Sequence, residues 1–574
     1  MSQFKKYHFI NNDITFALLL LIFSFLSHIA LGILDNYLTN LVSIFALCLL
    51  LFTLQKHSKI LFLIGFLFIF ALSLSYLPSG LLYGPVSIGV IASVYETNFS
   101  ETIGFFKAIP LSIYIFTFFY LLLFIVILLI QRHKTSNKSQ KKIYAAVYLA
   151  LLAFSLYTPI AKEVENTVPE KEFKLSEFFK ASNFYPVSFM SNAIKVNNTY
   201  LTQRALLNDA LTKTPEWQIL SVEPKYQNYV LVIGESMRRD YTSLYGYPQK
   251  TTPFLEQVNG LIFDLYVAAG PNTQPSLQRT LYRSINNNEE TVYTDNIISL
   301  AKLAHYKTYW LSNQGKVGEW DTMASRIGIQ ADEYFFTKKG GYDSDNIADT
   351  ALLEPLKQLL AKDKDQTKLI VLHLIGSHPT FCAHLNGEEP KFHLISREMS
   401  CYLDTLKQTD SLLSEVNQIL KDQGQSYSVI YFSDHGLAHL GAGKNLSMLN
   451  NKEYKQSYAV PFIRFSSDDT KRTLVKNPQS AFNFIHGFAQ WLGIKESHLS
   501  QEDFFNPQPQ PIKVFNWRAL VDYQSLKEDP AKQEPYCQML HHVRPYQAQA
   551  YLYQMNDRIF IFAGIVIQQT QFFR

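Results

Sequence analysis

Five long apolar runs, all before residue 161, constrain what this chain can fold into more than any other feature. They cover residues 14–34, 37–54, 60–77, 111–130 and 143–160. A helix that crosses a bilayer needs ~20 mostly apolar residues. A cleaved signal peptide would have a shorter apolar run and would not be followed by four more. The alternative, buried helices of a soluble core, fits runs of this length and number poorly. His28 and Cys48 fall inside the spans and read as packing residues rather than ligands.

The loops set an orientation. Lys5 and Lys6 precede the first run, Lys56 and Lys59 lie between the second and third, and Arg132, Lys134, Lys138, Lys141 and Lys142 lie between the fourth and fifth. Residues 35–36 and 78–110 hold only Lys107. Positive loops stay on the cytoplasmic side, so the N-terminus is expected inside and everything after the fifth run outside. The expected organisation is a five-helix transmembrane domain (1–161), a juxtamembrane connector (162–224) and a large extracytoplasmic domain (225–574). In the connector, "NFYPVSFM" suggests helices lying on the bilayer surface, as does "IASVYETNFSETIGFFKAI" between the third and fourth spans. A net charge of +4 over 574 residues gives no sign of a nucleic-acid partner. Cys382 and Cys401 lie where a disulfide could persist. A bridge is the expected state, with two buried thiols as the alternative; Cys537 has no obvious partner.

From about residue 225 the texture changes. "YVLVIGES", "LIVLHLIGSH" and "YSVIYFSDHG" are each a buried-type strand running straight into polar or glycine residues, and "HYKTYWLSNQ" is a looser fourth. Helical stretches such as "ALLEPLKQLLAK" separate them. This alternation predicts an α/β domain with a mainly parallel central sheet. Ligands of such sheets bind beyond the carboxyl ends of the strands, where Glu235, His378, Asp434 and His435 all fall. Two carboxylates and an imidazole suit a borderline divalent cation such as zinc. A catalytic site of that kind leaves a position for a hydroxyl nucleophile. The competing reading is that Asp434 and His435 merely cap a helix or form a turn.

Taken together, "VLVIGESMRRDYTSLYGYPQKTTPFLEQ", "GPNTQPS", "LHLIGSHPTF" and "FSDHG" resemble the phosphoethanolamine transferases of Gram-negative bacteria, members of the alkaline phosphatase and sulfatase superfamily. The resemblance implies a sulfatase-like catalytic domain in the periplasm, anchored in the inner membrane. It implies a catalytic Zn²⁺ on Glu235, Asp434 and His435, a second ion during turnover being possible. The nucleophile would be Thr273, which would also be a ligand of the metal. Phosphatidylethanolamine would be the donor, a lipopolysaccharide (core heptose or lipid A) the acceptor, and a threonine–phosphoethanolamine ester the intermediate. His378 would contact the phosphoryl group or a second metal, or be structural. Lys316 would match a phosphate-contacting lysine, and Glu101 an acidic residue near the lipid amine. In many relatives Ser-Asp-His-Gly continues with Glu-Ser and a histidine about a dozen residues on. Here Leu437 follows, residues 440–447 hold no histidine, and His439 is the available substitute. The cysteines that flank the nucleophile loop in lipid A-modifying members are missing, which is more similar to the inner-core branch.

Three other functions compete. "TQPSL" echoes a sulfatase signature, but threonine cannot become formylglycine and Leu277 stands where arginine is required. A phosphoglycerol transferase of the lipoteichoic acid synthase kind would share the anchor and the threonine. A catalytically dead scaffold or sensor would have no chemical need to keep Glu235, Thr273, Asp434 and His435 together.

Overall fold

The computed structural model describes residues 2–33, 37–96, 102–103, 105–106, 109–130, 138–165, 175–285, 288–315, 323–338, 347–362, 364–533, 551–555 and 558–562. Five helices in it are long and apolar enough to span a membrane. These are α1 (Ser2–Ala30), α2 (Tyr37–His57), α3 (Lys59–Tyr83), α5 (Leu111–Ile130) and α6 (Lys138–Glu165), with the short α4 (Ile88–Glu96) between the third and fourth. Their apolar faces mostly point outward: Phe118 is 62% exposed and Leu129 79%. A soluble core would bury such residues; these need lipid. Inside the bundle, Phe23 stacks on Tyr120 at 5.4 Å, and the Tyr120 hydroxyl is 2.8 Å from Ser27 Oγ. His28 bonds the Ser24 carbonyl and Ser43, consistent with a packing role.

Two span boundaries differ from expectation. The first helix stops at Ala30 because Gly32 takes a left-handed turn (φ +81°). The third runs past residue 77, through Pro78, and ends at Gly84 (φ +74°), whose N–H bonds the Gly80 carbonyl. A proline is tolerated where neighbouring helices support the backbone. The connector is helical, with α7 (Leu175–Lys180) and α8 (Tyr185–Ala210). Residues of α8 tie to the anchor: Tyr185 N–H to Ser43 Oγ, and Asn192 Nδ2 to the Val86 carbonyl. Tyr200 stacks on Tyr95 of α4.

The domain that follows the connector is built on an eight-stranded sheet. Its strands are β1 (Asn228–Gly234), β2 (Gly260–Phe263), β3 (Lys307–Gly315), β4 (Glu333–Lys338), β5 (Lys368–His373), β6 (Tyr427–Ser433), β7 (Phe462–Ser466) and β8 (Arg472–Val475), in the order β8-β2-β7-β6-β1-β5-β3-β4. The sheet is mixed but mostly parallel, since β7 runs antiparallel to both neighbours. The apolar strands β1, β5 and β6 are buried along their whole length, as parallel strands covered on both faces must be. Aromatic and aliphatic clusters fill the two sides, one around Phe432, Phe462 and Phe504, the other around Tyr241, Tyr402 and Leu413.

Register is what positions the chemistry. Ser433 of β6 pairs with Gly234 of β1, and Ile233 of β1 with His373 of β5. The three central strands therefore end level. Beyond β5, the turn Phe381–Leu385 is bridged by Cys382–Cys401 to the long helix α10 (Arg397–Asp422); α9 (Thr273–Leu281) precedes it in the chain. The expected disulfide is thus present. Closing a loop of this size is worth about 2–4 kcal/mol. Cys401→Ser is expected to lose about that much, read as a lower melting temperature. Identical melting with and without dithiothreitol in the wild-type protein would show that the bridge adds nothing.

Candidate active site

Glu235 follows β1 directly, and Asp434 and His435 follow β6, so the level strand ends bring all three side chains together, each buried. One ligand atom from each lies within 4.8 Å of the others. His435 Nε2 is 3.1 Å from Glu235 Oε1 and 3.5 Å from Asp434 Oδ2. The turns behind them are hydrogen-bonded. Asp434 N–H donates to the Gly234 carbonyl, Ser236 N–H donates to Asp434 Oδ1 at 3.1 Å, and the Ser236 hydroxyl donates to Glu235 Oε1 at 2.7 Å. Gly436 must be glycine here, because a Cβ would sit 2.1 Å from the Gln456 carbonyl oxygen.

Two observations fit this trio to a divalent cation. His435 Nδ1 is 2.7 Å from the Gly436 carbonyl, which makes it the N–H donor and leaves Nε2 bare toward the two carboxylates. Asp434 Oδ2 is buried without a hydrogen-bond partner among the described residues. A buried acceptor left unpaired is expensive, whereas as a metal ligand it is satisfied. Electrostatics agree. Burial, then the negative charge of Glu235, pushes Asp434 up to about 8. Burial pulls His435 down, but the Asp434 and Glu235 charges outweigh it and raise the imidazole to about 9. Burial would also raise Glu235, yet the charge and hydrogen bond of His435 hold it below the usual carboxylate range. Two like charges this close need a positive partner, a proton or a metal ion.

Thr273 opens α9 and completes the group. Its hydroxyl donates to Glu235 Oε2 at 3.1 Å and lies 3.3 Å from His435 Nε2. Helix α9 is pinned there by Ser276, whose hydroxyl donates to the Asp434 carbonyl at 2.5 Å. A cavity of about 390 Å³ holds this site at one end. Part of its wall comes from the anchor: Pro78 and Tyr83 of α3, Val90 and Val94 of α4, and Phe105.

His378 also lines the cavity; its Nδ1 is 2.7 Å from the Pro379 carbonyl, which leaves Nε2 for a ligand. Asp349 shapes the preceding loop by accepting the N–H groups of Ile375 and Gly376 at 2.9 Å each, a role sequence reading did not assign. His439 requires a correction. It does not line the cavity, and both of its ring nitrogens are engaged, Nδ1 with Asp529 at 2.7 Å and Nε2 with the Tyr241 hydroxyl at 2.7 Å. The small hairpin 438–449 sends His439 toward the buried Arg238 and brings Leu449 and Asn450 to the cavity instead. Asn450 Oδ1 is itself buried without a partner. Trp517 and Asn272, which also line the cavity, carried no signal in the sequence. Lys316, Glu101 and Cys537 lie outside the described residues.

Comparison with known proteins places this geometry. The sulfatase family model matches residues 227–494. Phosphoethanolamine transferase OpgE of Escherichia coli (strain K12) is 36% identical over 460 residues, 79% of this chain and 85% of that protein. The chain belongs to the phosphoethanolamine transferase family. A putative phosphoethanolamine transferase of Haemophilus influenzae is 32% identical over 401 residues, covering 67% of this chain and 76% of its own. The integral membrane protein lipooligosaccharide phosphoethanolamine transferase A from Neisseria meningitidis superposes with a TM-score of 0.54 over 85% of this chain and 98% of that chain, at 16% identity. At that identity the likeness shows a shared fold, anchor included.

Within this family frame the metal fit is directly testable. Glu235→Gln, Asp434→Asn and His435→Ala are each expected to weaken zinc binding by more than about 100-fold, measured by competition with a chromophoric chelator. Because the same atoms hold protons when no cation is bound, affinity should fall as pH is lowered from 8 toward 6. A pH-independent affinity, or full affinity in the three variants, would place the metal elsewhere.

Proposed function

We propose that the chain transfers phosphoethanolamine from phosphatidylethanolamine, through an ester on Thr273, to a lipopolysaccharide acceptor in the periplasm. The observation that carries this reading is the cavity. It joins a threonine hydroxyl, hydrogen-bonded at a metal-type site, to the ends of membrane helices. A lipid donor fits such a space, with its phosphodiester beside Thr273 and its diacylglycerol toward α3 and α4. The topology follows the loop charges, with the N-terminus cytoplasmic and the catalytic domain periplasmic, so donor and acceptor share the outer leaflet.

In the first half-reaction Thr273 Oγ1 bonds to phosphorus and the bond from phosphorus to the diacylglycerol oxygen breaks. The threonine proton leaves along the hydrogen bond to Glu235 Oε2 and on to water, and water returns a proton to the departing diacylglycerol oxygen. In the second half an acceptor hydroxyl or phosphate oxygen bonds to phosphorus, the bond from phosphorus to Thr273 Oγ1 breaks, and Thr273 regains its proton from the acceptor hydroxyl or from water. Dividing one displacement into two lowers each barrier. A zinc ion on Glu235, Asp434 and His435 would supply positive charge to the phosphoryl oxygens and make the threonine hydroxyl more acidic. Lipopolysaccharide as the acceptor rests on the family resemblance, and its inner core on the missing cysteines around "GPNTQPS".

The test uses the purified intact chain with phosphatidylethanolamine and no acceptor, followed by intact mass and peptide mapping. A phosphoethanolamine adduct on Thr273 is expected. An adduct from phosphatidylglycerol alone would reassign the donor, and no adduct from either lipid in zinc-loaded protein would favour a scaffold. Chasing the adduct with lipopolysaccharide or with a soluble oligosaccharide then reads the acceptor. Thr273→Ala should keep its zinc and lose at least about 10³-fold in turnover; undiminished turnover would remove Thr273 from the chemistry.

A further inference from the structure

Thr273 is held by residues from far along the chain. Asn272, immediately before it, is the N-cap of α9, with extended backbone (φ −161°, ψ 166°). An N-cap asparagine ordinarily accepts a hydrogen bond from the second or third residue of its helix. Here the side chain makes no capping bond. Its Oδ1 accepts instead from Trp517 Nε1 at 2.7 Å, in a buried contact between residues 245 apart in sequence. The first N–H groups of α9 are thereby left uncapped by Asn272, at the cavity wall where Asn272, Thr273 and Gln274 sit side by side.

Trp517 is an odd residue for its place. It lies at the tip of the hairpin formed by Lys513–Phe515 and Leu520–Asp522, with φ +70°. Bulky side chains avoid that region, and glycine or asparagine would turn the chain without strain. The turn does not need an indole to close, because Asn516 Oδ1 already accepts from the N–H groups of Arg518 and Ala519. Yet the indole is 5% exposed. Its ring meets Tyr83, the last residue of α3, edge-on at 5.6 Å and 86°. Phe515, two residues before Trp517, grips the nucleophile loop: its N–H donates to the Ala269 carbonyl at 2.8 Å, and the Arg279 guanidinium of α9 sits 3.7 Å from its ring centre.

We propose that Trp517 is a positioning residue for the transfer. It fixes Asn272, and through it Thr273, in an arrangement that depends on contact between the hairpin tip and the membrane helices. The nucleophile is then in order when the catalytic domain is seated on the anchor, where a lipid enters the cavity. This rests on Thr273 being the nucleophile of the proposed function.

The experiment measures the rate of adduct formation on Thr273 in the full-length, zinc-loaded protein, with mixed phosphatidylethanolamine and phosphatidylcholine vesicles. Trp517→Phe keeps an aromatic ring against Tyr83 and removes the N–H. Its rate should fall roughly tenfold to a hundredfold, with the wild-type zinc content and melting temperature retained. Tyr83→Ala should slow the same step, and the double variant should be no slower than the slower single one, as expected for two residues acting through one arrangement. A wild-type rate in Trp517→Phe overturns the proposal, and so do multiplying losses in the double variant. Loss of zinc or of thermal stability alongside the lost rate gives Trp517 a structural role alone and overturns it too. Absence of any adduct on the wild-type chain overturns the proposed function together with this inference; an adduct that forms equally fast in Trp517→Phe overturns the inference alone.

Discussion

The in-register pairing of three parallel strands is the constraint on which the site depends. With Ser433 opposite Gly234, the next residues of β6 and β1 must be neighbours, and those residues are Asp434 and Glu235. A shift of one residue would send every side chain of β6 to the other face of the sheet, taking Phe432 out of its aromatic cluster. The core therefore enforces the register, and the register forces two carboxylates into a buried space with one imidazole. Repulsion between them is the unavoidable result, and a cation relieves it. Stability and chemistry are coupled through the same pairing.

The back of this arrangement is closed by another buried charge. Arg238, four residues beyond the end of β1, is fully buried; it bonds Asp240 at 2.7 Å, Asp529 at 3.0 Å and the Leu437 carbonyl at 3.3 Å. Its Cγ stands 3.3 Å from where a side chain on Gly436 would begin. A buried guanidinium is tolerated when its donors are matched by acceptors, and here they brace the turn that carries His435. His439 belongs to this brace through Asp529, which is the physical reason it is not at the cavity. Its aspartate partner lies 90 residues away, beyond the reach of any local pattern.

How much was legible in the sequence follows the same division between local and distant. The spans were readable because lipid imposes composition on about twenty consecutive residues at a time. Glu235, Asp434 and His435 were readable because an apolar strand that stops abruptly at a charged residue is a local anomaly. The one reversed strand was not, since β7 looks like any apolar strand and its direction is decided by its neighbours. Thr273 is one hydroxyl among many and was singled out by resemblance rather than by residue type. Asn450 and Trp517 had no signature at all: an asparagine after a short hairpin and a tryptophan in a turn acquire meaning only from what they face.

For the phospholipid donor proposed above, the anchor and the catalytic domain answer one physical problem. A phosphodiester whose diacylglycerol stays in lipid cannot be lifted far from the bilayer, because each buried methylene group exposed to water is unfavourable by about 0.8 kcal/mol. A metal-type site at the ends of buried strands must therefore come to the membrane. In this chain it does so by sharing one cavity with α3 and α4, while α8 ties the connector to Ser43 and Val86 at the same face. The polar ends of the sheet and the apolar ends of the helices become two walls of one space. A phospholipid has the matching division, with a charged phosphoryl group at one end and hydrocarbon at the other.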